Sequence, residues 1–310
     1  MNVENQTSIT HFVLLGLTDV AEAQLTLFAM VSLFYFTTLI GNISIFIIII
    51  WDRSLHIPMY FFLWNLSILD ILYSSVAVPK MITDFLVLEK KISFGGCISQ
   101  IHFFHFFGST EVVLLTAMSY DRYVALSKPL RYTIIMNSKV CLGLALFSWI
   151  TGFFHSLIHS YMTAKLPFCG PNIVNHFFCD VKPLLTLACT DTSLNFKLLN
   201  FVTGTLVTSC LVFTLLSYAF ISKCILKIKT LGGRKNALYT CTAHLTVVFI
   251  HFGTAIFSYL RPSQLDSLDQ DKAVAVLFSV ITPALNPIIY TLRNKDMKRA
   301  IKRFINRFDF

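Results

Sequence analysis

Charge is what this 310-residue sequence has least of: 13% of its residues are Asp, Glu, Lys or Arg, and 55% are hydrophobic. Soluble domains carry about 25% charged residues, so the shortfall excludes a water-soluble globular fold. Glycine is scarce, at 12 residues, while phenylalanine reaches 30, which excludes a disordered chain. Catalytic signatures are missing as well. No G-x-S-x-G, H-E-x-x-H or P-loop pattern occurs, so neither an enzyme nor a cofactor is expected. The opening stretch MNVENQTSITHF lacks a basic region followed by a short apolar run, so no cleaved signal peptide is expected. A net charge of +9 would suit a nucleic-acid binder, and only the placement of the charges decides that question.

What the sequence has instead is long apolar runs. Leu25 to Trp51 contains no charged residue. At about 1.5 Å per residue it makes a helix of roughly 40 Å, enough for a bilayer core of about 30 Å. Comparable runs follow at about 58–79, 98–120, 140–162, 197–222, 237–260 and 273–292. The spacing predicts an all-α membrane protein, a bundle of seven transmembrane helices. Residues 1–24 form an outer tail, 25–292 the transmembrane domain, and 293–310 a cytoplasmic helix and tail.

Basic residues test the orientation. With the N-terminus outside, seventeen of the 25 Lys and Arg fall on the inner side, among them Arg131, Lys139, Lys227, Lys235 and most of the tail. The excess is then a matter of topology and of contact with acidic inner-leaflet lipid, and no nucleic acid is required. Within the tail, Met297, Ala300, Ile301, Phe304, Ile305 and Phe308 recur at helical spacing between Lys and Arg. That pattern predicts an amphipathic helix on the inner membrane surface, capped by Asn294. The Asn5 sequon fits glycosylation of an outer N-terminus.

Cysteines divide by side. Cys97, Cys169, Cys179 and Cys189 fall in the outer, oxidising compartment, where four thiols allow three pairings that the sequence leaves open. Cys141, Cys210, Cys224 and Cys241 lie within spans or at their inner ends and read as free thiols. Asp70 and Glu111 sit deep in the second and third spans. Such groups cost at least about 2.5 kcal/mol to insert, which marks them as functional. They are read as a hydrated polar centre shared with Asn42 and Asn286, with or without a cation; a plain packing contact satisfied by helix–helix hydrogen bonds is the competing reading. Two histidine pairs, His102 with His105 and His155 with His159, share helix faces. A lone pair at that spacing lines a pocket or packs more often than it binds metal, so no metal is expected. Pro283 and Pro287 fall in the last span and predict a hinge there.

At the inner end of the third span stands MSYDRYVALSKPLRY, with Asp121, Arg122 and Tyr123 side by side. Together with Gly41-Asn42, LHIPMYFFLWNLSILD, Ser217-Tyr218, KNALYTCTAHL and PALNPIIYTLRN, this block resembles the rhodopsin-like G-protein-coupled receptors, and within them the odorant-receptor family. The matching blocks run in order along nearly the whole chain. Departures occur at Ser127, Tyr239, Ala243 and Phe252, where the family usually has Cys, Ser, Ser and Tyr; coupling efficiency and basal activity depend on that region.

The resemblance implies a receptor in the plasma membrane. Its ligand is a small volatile organic molecule, and its partner a stimulatory, olfactory-type heterotrimeric G protein that raises cAMP. It pairs Cys97 with Cys179 and Cys169 with Cys189, with Cys97–Cys189 as the alternative. It also pairs Asp121 with Arg122 in the resting state, and has Arg122 move to Tyr218 and the G protein on activation, with Tyr123, Asn286, Pro287 and Tyr290 in the same switch. For the ligand, the face one to three turns inside Cys97 is chosen: Ile101, His102, His105, Phe106 and Ser109. Ala255, Ile256 and Tyr259 lie at the same depth on the sixth span, and the resemblance places a ligand contact at Tyr259. The competing reading has His105 facing the fourth helix as packing. A transporter or channel using Asp70 and Glu111 is the alternative function. It should show inverted repeats or paired broken helices, and the sequence has no internal self-similarity.

Overall fold

The computed structural model describes residues 9–18, 20–259 and 268–307. Seven of its helices are long and apolar enough to cross a membrane. They are α1 (Ala21–Trp51), α2 (Pro58–Asp84), α3 (Phe94–Ser127), α4 (Ser138–Ala164), α5, α6 (Leu231–Tyr259) and α7. α5 runs from Ser193–Leu198 through a π-helical turn, Leu199–Thr203, into Gly204–Lys227. α7 is built the same way, from Leu268–Val276, a π-helical turn at Leu277–Ile281, and Thr282–Arg293. A short helix α8, Lys295–Asn306, follows at the tail end.

Local chemistry starts these helices. Pro58 opens α2, where its missing N–H costs nothing. Ser93 caps α3 by accepting from Gly96 N at 3.1 Å, and Asn137 caps α4 by accepting from Val140 N at 3.1 Å. Asn294 caps α8, its Oδ1 accepting from the N–H groups of Asp296 and Met297 and from the Tyr60 hydroxyl.

α3 is the axis of the bundle and packs against α2, α4, α5 and α6. Between apolar helices in lipid there is little hydrophobic drive, so close approach and buried hydrogen bonds hold the bundle together. Gly152 of α4 shows the approach: a Cβ there would stand 2.7 Å from the Phe106 carbonyl oxygen of α3. At α7, Pro287 has no N–H to offer the Pro283 carbonyl. Asn42 of α1 supplies the missing donor, its Nδ2 reaching that carbonyl at 3.1 Å. Gly41 lies against the proline ring, where a Cβ would come within 2.7 Å. Large apolar side chains such as Leu33, Phe147 and Phe213 remain on the outward faces of α1, α4 and α5, as contact with lipid requires.

The end opposite the tail is closed by a small sheet. β1 (His11–Leu14) lies between β2 (Lys91–Ser93), which pairs antiparallel, and β3 (Ile173–Val174), which pairs parallel. The alternation of β1 turns Phe12 and Leu14 inward, onto Cys97, Cys179 and Val181. Cys97 is bonded to Cys179 and Cys169 to Cys189, with Cα atoms 5.3 and 5.7 Å apart. Cys97–Cys189 is therefore not the pairing in this structure.

α8 packs Met297 and Ala300 into the core, and Phe304 meets the Trp51 ring edge-on. Arg303 donates to Asp52 Oδ2 through both Nε and Nη2. Burial pushes the Asp52 carboxyl up, but the hydrogen bonds from Ser54 and Arg303 outweigh it and hold its pKa below the ordinary carboxylate value.

Candidate functional site

Beneath the sheet and the Cys97–Cys179 bridge, five helices surround a narrow cavity of about 40 Å³. α2 contributes Tyr73, and α3 contributes Phe104, His105, Gly108, Ser109 and Val112. Thr203, Leu206 and Val207 come from α5, His251, Ala255 and Tyr259 from α6, and Phe278 from α7. On α3 the lining residues His105, Ser109 and Val112 stand at i, i+4 and i+7, one stripe of a 3.6-residue helix. The two π-helical turns lie here: Thr203 ends one and Phe278 sits inside the other. Each inserts a residue into the helical repeat and turns a side chain inward that regular winding would aim elsewhere.

The polar side chains of the wall are mostly bonded to one another. His105 Nε2 lies 3.3 Å from Asp180 Oδ1, in the segment before the short helix Val181–Leu185. Burial pushes the Asp180 carboxyl up; the hydrogen bond and charge of His105, with smaller contributions from His176 and the Val181 N–H, pull it below the usual range. His176, buried in the same loop, is driven down to about 4 by desolvation. Ser109 Oγ pairs with His155 Nδ1 at 2.8 Å, and Thr203 Oγ1 lies 3.1 Å from His155 Nε2 and 3.3 Å from His159 Nε2. His155 and His159 of α4 thus form a layer behind the wall. Among the described residues no group of three or more His, Cys, Asp or Glu is arranged to hold a metal.

Four of the eight expected ligand residues line this cavity: His105, Ser109, Ala255 and Tyr259. The other four do not. Ile101 is one turn too near the end of α3 and is covered by the disulfide-bonded loop, packed with Cys179 and Val181. His102 faces α4, where its Nδ1 meets Ser160 Oγ at 3.1 Å. Phe106 packs against Trp149 and Phe153 of α4. Ile256, rotated about 100° from Ala255, packs into the hydrophobic core. Sequence reasoning missed Tyr73, Phe104, Thr203, His251 and Phe278. The aromatic run of α3 signalled Phe104, but nothing in the sequence marks Tyr73 before α2 is placed against α3.

Deeper in the bundle, Asn286 Nδ2 donates to Asp70 Oδ1 at 2.8 Å. Glu111 Oε1 lies 3.3 Å from His251 Nδ1, close enough for an ion pair but without a well-aligned hydrogen bond. Asn42, expected in the same centre, instead spends its amide on the Thr38 and Pro283 carbonyls. His251 therefore belongs to both the cavity wall and the carboxylate layer below it.

At the tail end the expected Asp121–Arg122 pair is absent among the described residues. Asp121 accepts from the Tyr132 hydroxyl at 2.8 Å, and the Arg122 guanidinium points to the Met59 sulfur. Consecutive helical residues diverge by about 100°, so the acid is free to take a partner from the segment leading to α4. Tyr218 pairs its hydroxyl with His244 Nδ1 at 2.7 Å, and the Tyr123 ring packs beside Phe220 at a tilt. Tyr290 is buried, and among the described residues its hydroxyl has no hydrogen-bond partner. Asn5 lies outside the described residues.

Seven spanning helices, a small cavity at the disulfide end and Asp-Arg-Tyr at the other define a rhodopsin-like receptor. The olfactory receptor family model matches residues 31–307. Olfactory receptor 12D1 of Homo sapiens is 51% identical over 305 residues, covering 98% of this chain and 95% of that one. Olfactory receptor 12D2 of Homo sapiens is 49% identical (98% and 99% covered), and olfactory receptor 5AP2 of Mus musculus 45% (98% and 96%). The chain belongs to the olfactory receptor family. It is a multi-pass receptor of the plasma membrane and not an enzyme, with an odorant as ligand and a G protein as partner.

Proposed function

We propose that the receptor binds a small volatile organic molecule in the cavity between α2, α3, α5, α6 and α7, with the N-terminus outside the cell. Binding there activates a stimulatory, olfactory-type G protein and raises cAMP. The observation that carries this reading is His251, which lines the cavity and also touches Glu111. A ligand pressing on α6 acts at once on the carboxylate layer. From there α6 leads to His244, and so to the Tyr218 hydroxyl of α5.

The bistable element is this set of exchangeable partners. In the state described, Tyr218 is held by His244 and Arg122 by Met59. An outward shift of α6 frees Tyr218 to meet Arg122, and both to meet the G protein. A ligand that binds the shifted state better moves the population toward it. Asp121, Tyr123, Asn286, Pro287 and Tyr290 surround that change, and α8 rests on inner-leaflet lipid. The orientation is supported by the basic residues of the tail and of the segments around Arg131 and Lys227.

The test is cAMP accumulation in a heterologous cell exposed to an odorant panel. Wild type should respond to some panel members. Arg122→Ala should lose the response at matched surface expression, while ligand-induced stabilisation of the purified receptor persists. An undiminished cAMP response in Arg122→Ala would refute the coupling route.

A further inference from the structure

A second hollow lies at the tail end of the bundle, where the ends of α1, α2 and α4 meet. Its volume is about 590 Å³, against about 40 Å³ for the cavity beneath the sheet. Ile49 and Ile50 of α1, Phe61 and Trp64 of α2 and Cys141 of α4 form its walls, with Met136 from the segment before α4. The groove opens outward, since Ile50 and Ile57 on its rim are 55% and 40% exposed. From Pro58 to Trp64 it follows α2 for about 9 Å, at about 1.5 Å per residue. Its mouth is positively charged. Arg53, Arg131 and Lys139 are exposed and stand within two residues of the lining residues Leu55, Thr133 and Ser138. Between Arg53 and Leu69, and again between Arg122 and Cys179, the chain has no Asp or Glu. The acids that flank these stretches, Asp52 and Asp121, are buried and bonded to Arg303 and Tyr132. Both α2 and α4 also begin here, at Pro58 and Ser138, and add the positive ends of their dipoles.

We propose that this groove binds an anionic phospholipid, with an acyl chain along Phe61 and Trp64 and the headgroup at Arg53 and Lys139. The site depends on neither the odorant nor the G-protein reading. Charge decides among the molecules of a bilayer. A sterol fills apolar space, but its single hydroxyl leaves the cationic mouth unused. A zwitterionic lipid brings a cation of its own to a place that already has several. An anionic headgroup meets only opposite charge there, and basic pockets between spans on the cytoplasmic side favour such headgroups. The lining agrees with that polarity: Thr133, Asn137 and Ser138 stand where α4 begins, and Ile49, Phe61 and Trp64 inside the spans. On the proposed orientation the groove faces the cytoplasmic leaflet, where anionic lipid is concentrated. Thr133 and Met136 flank the short helix that carries Tyr132, so a lipid seated here braces the hydrogen bond from Tyr132 to Asp121.

The test uses the full-length purified receptor in detergent and reads retained lipid by native mass spectrometry. The probes are phosphatidylserine, phosphatidylcholine with the same acyl chains, and cholesterol. Wild type should retain phosphatidylserine at concentrations about tenfold or more below the other two. Arg53→Gln combined with Lys139→Gln should lose most of that preference, about fivefold for each cation. Lys298→Gln combined with Lys302→Gln removes the same charge from α8 and should keep it. Ser138→Trp, or Ile57→Trp if the first misfolds, fills the groove and should abolish the retention of phosphatidylserine. Glycerophosphoserine, the headgroup without its chains, should not displace the lipid. Retention without preference, or a preference for phosphatidylcholine or cholesterol, overturns the proposal. An equal loss in the α8 variant shows a diffuse surface field and overturns it as well. So do survival of phosphatidylserine in the filled groove, displacement by glycerophosphoserine, and silence of every lipid on the wild type.

Discussion

Pro287 lacks one amide proton, and the consequences reach two neighbours on another helix. Asn42 exists at its position to bond the carbonyl that the proline leaves free, and Gly41 to let the ring approach. Asn42→Ala leaves the Pro283 carbonyl buried without a partner, a loss of about 1–3 kcal/mol. The thermal midpoint of the purified receptor should fall measurably, and an unchanged midpoint would show that the carbonyl is satisfied in another way. Residue identities of this kind are partly legible in the sequence. Asn42, Asp70 and Glu111 stand out as polar groups in apolar runs, and Pro287 as a helix breaker. Their partners are not legible, because they are set by how helices distant in sequence dock. Asp121 finds Tyr132 and not Arg122, and Glu111 finds His251 and not Asn286.

At the scale of elements, the helices follow from length and apolarity, and the caps Ser93, Asn137 and Asn294 from residue type. The π-helical turns do not follow. Regular winding is the default for any apolar run, and no residue type marks where α5 departs from it, so the inward turn of Thr203 toward His155 and His159 is not legible in the sequence. The third-helix stripe was half legible: spacing selects a face, but the loop that covers Ile101 and the side on which α4 packs decide which members of it meet the cavity.

The loop makes its own prediction. His176 is buried and neutral, with a pKa of about 4 against an ordinary 6.5. A group whose folded pKa is depressed contributes stability that is fully present above the unfolded value and lost as pH falls toward the folded one. Acidification from about pH 6.5 to about pH 5 should therefore cost about 2 kcal/mol at this site. His176→Gln removes the titration. The thermal midpoint of the wild type should drop more steeply over that window than that of the variant, and equal slopes would show that His176 is solvated.

For the whole molecule, the cavity and the Arg122 region lie at opposite ends of one bundle and are joined through His251, the carboxylate layer, His244 and Tyr218. The central claim is that these ends share one equilibrium. Coupling between two sites is reciprocal, so a G protein that binds the shifted state must tighten the ligand as the ligand tightens the G protein. The most direct measurement is the affinity of an agonist from the odorant panel for the purified receptor, with and without a nucleotide-free stimulatory G protein. The account predicts an affinity at least about fivefold higher with the G protein present, and no such gain in Arg122→Ala. An agonist affinity indifferent to the G protein in the wild type would contradict it.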